Sequence, residues 1–128
     1  MTGPSRPLLL MDSIGRIGPA AAGAVVVCGS HGGTSAAQYV LEQPALPYAC
    51  IFNDAGIGKD AAGIAGLSLL AERSVIAATC AHDSARIGDA ADSLAGGRLS
   101  HVNAPASAAG LKAGMMVAEA VRLLGGTE

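Results

Sequence analysis

The chain has 128 residues, a formal charge of −2, 14% charged residues and 51% hydrophobic ones. That length favours one domain and that apolar content suffices for a core, whereas a disordered chain shows low hydrophobicity and high net charge. With no basic run, one Phe, two Tyr and no Trp, the chain lacks the positive stripe and stacking aromatics of a nucleic-acid surface. No apolar stretch reaches the ~18 residues of a membrane span, and the opening MTGPSRPLLLM lacks a signal peptide's apolar region. A cytoplasmic protein is expected, with residues 1–7 a flexible N-terminal segment. Cys28, Cys50 and Cys80 form an odd set without a CxxC pair and read as reduced core residues. Cys28 alone, beside a loop, has a second reading as a reactive thiol.

Taken in chain order, residues 8–11 form a short apolar run that reads as a strand, and 24–28 a β-branched one. Residues 34–43 predict a helix, stopped by Pro44 and Pro47. A third strand is expected over 48–52. A helix follows over 60–73, with Asp60 as its N-cap and Ile64, Leu67 and Leu70 on one face. A fourth strand is expected over 74–79, a helix over 84–94 closed by Gly96-Gly97, and a fifth strand over 98–102. Residues 106–124 predict a final helix. Strands that read as continuous apolar runs and alternate with helices point to a parallel sheet covered on both faces. The expected fold is a single three-layer α/β domain with about five mostly parallel strands.

Three segments echo one another: DSIGRIGPAAAG (12–23), DAGIGKDAAG (54–63) and DSARIGDAAD (83–92). Each starts with an Asp where an apolar run ends. In an open parallel sheet, ligands bind outside the carboxyl ends of the strands. The residues expected there are Ser30, His31, Gly32 and Gly33 after the second strand, and Asn53, Asp54, Gly56, Gly58 and Lys59 after the third. His82, Asp83, Ser84 and Arg86 follow the fourth, and Ser100, His101 and Asn103 accompany the fifth. All three histidines fall in this set.

The turn "GSHGG" after the second strand has three readings. In Cys28-Gly29-Ser30-His31-Gly32 it resembles, over five residues, the nucleophile elbow of α/β-hydrolases, with Cys28 in place of the first Gly. Those enzymes are much longer, and the chain is not assigned to them. The resemblance implies Ser30 as nucleophile, with His101 or His82 as base and Asp54 or Asp83 orienting the imidazole. A second reading is an anion cradle, with the Gly29, Gly32 and Gly33 amides and the next helix's N-terminus facing a negative ligand. The third is a purely structural glycine turn. No Walker loop or dinucleotide GxGxxG follows that strand, so no cofactor is expected. The His and Asp residues have no HxH or HExxH spacing, so no metal is expected either.

These residues point to an enzyme acting on a small anionic metabolite by acid–base chemistry, of hydrolase or lyase type. Ser30, His31, Asp54 and His101 are the expected catalytic groups. His31 and His101 would transfer protons, since histidine titrates near neutral pH. Gly32, Gly33, Asn53, Lys59, Arg86 and Asn103 are expected to hold the substrate. The alternative is a non-catalytic ligand-binding or accessory subunit using the same pocket. A small chain rich in Ala and Gly is also expected to form a homo-oligomer.

Overall fold

The computed structural model describes residues 5–127. Its strands are β1 (Arg6–Met11), β2 (Val25–His31), β3 (Ala49–Asn53), β4 (Ile76–Cys80), β5 (Leu99–Val102) and β6 (Gly126–Thr127). Its helices are α1 (Thr34–Leu41), α2 (Gly66–Ala71), α3 (Ala90–Gly96), α4 (Ala104–Ala108) and α5 (Val117–Leu123). One six-stranded sheet has the order β5-β4-β3-β2-β1-β6. Every pairing is parallel except β4 with β5.

The apolar runs explain the layers. Val26, Cys50, Phe52 and Ala77 point to one face and pack against Ala36, Ala37 and Val40 of α1 and Leu67 and Leu70 of α2. Val25, Val27, Ala49, Ile51 and Ala78 point to the other, where Ala106, Val117, Ala120 and Val121 cover them. Successive strand residues alternate between faces, so a strand apolar at every position is buried on both. This is the expected three-layer α/β domain. Arg6 and Pro7 belong to β1, paired with Gly126 and Thr127; the earlier part of the expected N-terminal segment lies outside the described residues. Among those residues no helix is long and apolar enough to cross a membrane.

Several helices are shorter than the sequence pattern predicts. The one expected over 60–73 reduces to α2, preceded by a 3-10 turn in which Asp60 has a left-handed φ of 56° and caps nothing. Gly63 and Gly66 lie so close to the Asp54 and Gly33 carbonyls that a Cβ at either would overlap them. The helix expected over 106–124 splits into α4 and α5 across Gly110 and Gly114, at φ 100° and 93°. The break has a use: the Leu99 amide donates to Met115 O and the Gly114 amide to Leu99 O, both at 2.8 Å. The loop thereby covers part of β5's outer edge. The helix expected over 84–94 starts later, at Asp89, whose carboxylate accepts the Asp92 amide at 2.9 Å.

β5 runs opposite to β4, with Ala78 opposite Val102 and Thr79 opposite His101. Asn103 therefore lies toward the amino end of β4, away from the edge where it was expected. Its buried side chain accepts the amides of Ala77 (3.1 Å) and Ala106 (3.0 Å) and donates to the carbonyls of Leu67 and Val75 (3.0 Å each). It caps α4 while joining α2, β4 and β5. With its hydrogen-bonding capacity spent on the backbone, Asn103 has a structural duty.

Asn103→Ala removes four buried hydrogen bonds to the backbone and is expected to cost about 3 kcal/mol. Asn103→Asp keeps both accepted bonds but sets a charge against two carbonyls, so it should be no more stable than the alanine variant. Urea denaturation of the three proteins checks this; an aspartate variant as stable as the wild type would contradict the hydrogen-bond assignment.

Candidate functional site

The connection after β3 turns to the face of α1 and α2, where Ile64 and Leu67 pack. The connection after β4 turns to the opposite face, where Ala85 and Leu94 pack. Adjacent strands whose carboxyl-end connections diverge open a crevice, the usual ligand position in such sheets. Asp54 and His82 begin these two diverging connections.

Asp54 is buried, 4% exposed. One carboxylate oxygen accepts the Gly56 amide at 2.8 Å and the His82 amide at 3.0 Å, and stands 3.4 Å from His82 Nδ1. The Ser100 hydroxyl lies near enough to favour the ionised carboxylate as well. Burial alone would raise this acid's pKa, but the hydrogen bonds from Ser100, Gly56 and His82 and the nearby His82 ring outweigh it and hold Asp54 below its ordinary value of 3.8. The His82 side chain is 59% exposed, so one group of the pair faces solvent while the other is enclosed.

The segment after Asp54 folds back on itself. Ala55, Ile57, Asp60 and Ala61 have positive φ, as do Gly56 and Gly58. For β-branched Ile57, at φ 70°, this conformation is costly. It is held by the Ile57 amide on Asp54 O (2.6 Å) and the Gly63 amide on Ile57 O (2.7 Å). Clustered backbone strain of this kind marks functional segments more often than ordinary turns.

A β-bulge completes the group. Thr79 pairs with His101 but Cys80 pairs with Leu99, leaving Ser100 as the extra residue. Bulges re-aim side chains beside sites. Ser100 Oγ lies 3.0 Å from Thr79 Oγ1 and 3.1 Å from His101 Nδ1. Ser100 Oγ also donates to Thr79 O at 3.3 Å, so its one proton is shared among several acceptors and the His101 Nδ1 contact serves either tautomer of that ring. Among the described residues no protein group bonds His101 Nε2. Asp54 thus contacts the His82 ring directly, and the His101 ring is bonded to Ser100 beside it.

The remaining candidates lie elsewhere or are occupied. Ser30 and His31 end β2 as extended strand, so no sharp elbow presents the Ser30 hydroxyl. Its Oγ accepts the Ile14 amide at 2.9 Å. Ser13, Ser30, His31, Ser35 and Tyr39 line a cleft of about 190 Å³ that includes neither Asp54 nor His101. The Gly32 amide donates to Asn53 O (3.0 Å) and its carbonyl accepts from Gly66 (2.8 Å). Gly33 is the N-cap of α1, and its carbonyl accepts the Ala37 amide. The Gly32 amide therefore faces the chain, which takes it from the expected anion cradle. Asn53 donates to Ala85 O (3.1 Å) and accepts the Ala55 amide (2.8 Å), fully buried. Lys59 and Arg86 are exposed on the two diverging connections.

Burial pushes the Cys28 thiol up to about 12, with a smaller upward contribution from Cys80 and a lowering one from a Ser30 backbone bond. It carries no thiolate at neutral pH. Among the described residues no group of three or more His, Cys, Asp or Glu is placed to hold a metal ion.

The chosen residues Asp54 and His101 thus come together, whereas Ser30, His31 and Asn103 do not join them. His82, expected at this edge but not among the chosen acid–base groups, and Ser100, expected only as its neighbour, complete the cluster. The signal for His82 was its place directly after β4. Ser100 depends on a bulge in an antiparallel pair, which no spacing in the chain announces. No protein-family model, curated protein or solved structure matches the chain.

Because folding lowers the Asp54 pKa, its ionised form stabilises the fold above the ordinary carboxylate range, and this contribution is lost as pH falls through the folded value. Asp54→Asn should therefore be less stable than wild type at pH 7, and the gap should narrow at pH 3. Urea titrations at both pH values check this; a gap independent of pH would show that the charge contributes nothing.

Proposed function

We propose that the chain is a small-molecule enzyme working by acid–base chemistry at the crevice between β3 and β4, on an anionic metabolite, by hydrolysis or elimination. The observation that carries this reading is a buried, ionised Asp54 beside the exposed His82 imidazole at 3.4 Å. Such a carboxylate orients the ring and favours the imidazolium that forms when the ring takes a proton. His82 is the general base in this reading, and Asp54 a positioning residue. Both reaction types need a proton removed at one atom and delivered at another. Elimination removes a C–H proton, its electron pair forms the double bond, and the departing oxygen takes a proton. In hydrolysis, water loses the proton and the leaving group gains it. Two imidazoles tied to one carboxylate suit this division, with His101 as the second.

Lys59 and Arg86, one on each connection beside the crevice, supply the positive charge that favours an anionic substrate. The proposal extends to a cytoplasmic homo-oligomer, for which exposed Leu10, Ile87, Met116 and Leu123 offer apolar surface.

The test is turnover of a panel of p-nitrophenyl acetate, p-nitrophenyl phosphate and small 2- and 3-hydroxy acids. On any member turned over, His82→Ala should lower kcat/KM by ~100-fold or more, and Asp54→Asn should lower kcat with less change in KM. Rates unaffected by both substitutions would overturn the proposal. Binding of phosphate or carboxylates without turnover of any member would favour the non-catalytic ligand-binding subunit.

A further inference from the structure

His101 also lines a groove of about 390 Å³ between α2 and β5. Its walls are Ile64, Leu67, Ser68 and Ala71 on one side and Val102 and Ala104 on the other, with the Ser68 hydroxyl donating to Ala65 O at 3.4 Å. Apart from that hydroxyl these walls are aliphatic, with no aromatic ring among them. Asn103 lies at its base, but both its amide hydrogens are donated to backbone carbonyls, so it offers a ligand no free donor. The polar end of the groove is therefore His101, which the Ser100 hydroxyl connects to Asp54.

A groove of this size falls within the range of small-ligand sites, which are mostly apolar with a few placed polar groups. We propose that it binds the aliphatic chain of a monocarboxylate substrate, with the polar end of that substrate at His101. This rests on the acid–base reading above and names its substrate class. The chain would run between α2 and β5 and gain affinity through burial of methylenes, without specific hydrogen bonds. Charge alone would then not select the substrate: acetate, with no chain, would bind weakly, and benzoate, with a flat ring in place of a flexible chain, would follow the groove between α2 and β5 less closely.

The experiment titrates the whole protein at pH 6 with sodium acetate, butyrate, hexanoate, octanoate and benzoate, following the imidazole signals of His82 and His101 by nuclear magnetic resonance. Affinity should rise by up to about fourfold per methylene from acetate to hexanoate, with the His101 signals responding, and benzoate should bind more weakly than hexanoate. Ala71→Phe fills the groove from α2 and should remove the dependence on chain length while leaving acetate binding unchanged. Ser68→Phe, at an exposed position on the same wall, serves where the first variant does not fold. Affinities independent of chain length, or a hexanoate affinity unchanged in the folded variant, would overturn the proposal. The two readings fail separately. Chain-length dependence together with turnover indifferent to His82→Ala removes the acid–base centre and leaves the groove. Turnover that needs His82 but ignores chain length removes only the groove.

Discussion

Burying a carboxylate at the end of a strand costs several kcal/mol unless hydrogen bonds replace the water it loses. At Asp54 the replacements come from separate pieces of chain: the Gly56 amide from its own loop, the His82 amide from beyond β4, and the Ser100 hydroxyl from β5. Satisfying one charge thus draws three segments to one point. It also explains the backbone that follows. For Gly56 to reach back to the carboxylate and Gly63 to close on Ile57, the chain must turn tightly, and residues 55–58, 60 and 61 adopt positive φ even where the side chain disfavours it.

The glycines follow from a related constraint. Gly29 packs so tightly that a Cβ would meet the backbone at Asp12, Gly88 and Asp89, and the Gly88 amide donates to its carbonyl at 2.8 Å. Gly66 stands equally close to Gly33. The "GSHGG" stretch is where the connection into α3 and the start of α2 close upon the end of β2. Its glycines serve backbone-to-backbone packing, and this requirement removes the Gly32 amide from ligand binding. A glycine-rich string between a strand and a helix looks the same in sequence whether its neighbour is a phosphate or another peptide group. The approaching peptide groups come from other segments of the chain, Asp12 before β2 and Gly63, Gly66 and Gly88 well after it, and local pattern carries no trace of them.

The legible parts were those set by local periodicity. Apolar runs announced all but the shortest strand, and their lack of alternation announced a sheet buried on both faces. β6 has two residues and exists because β1 offers it an edge. The direction of β5 was not legible either, since a short apolar strand reads alike both ways. The echo of Asp residues was real as position but not as role: Asp54 binds the loop and His82, whereas Asp12 accepts the Ala90 amide from the far end of the chain at 3.0 Å. Similar strings at strand ends ended in different partners because the partners are tertiary.

The reversal of β5 matters most for chemistry. In a parallel fifth strand, His101 and Asn103 would both leave the sheet at the edge that carries Asp54. With the strand reversed, Asn103 descends into the core and holds α4, while the bulge at Ser100 returns one hydroxyl to the carboxylate. His101, one residue further on, remains tied to that hydroxyl but lines the groove beside α2. The same carboxylate therefore governs two imidazoles in unlike surroundings, one exposed beside the crevice and one against aliphatic walls. Asp54 stands 3.4 Å from the His82 ring, whereas Ser100 lies between it and the His101 ring. The two rings therefore stand at different places around one carboxylate, His82 open to solvent and His101 facing the groove.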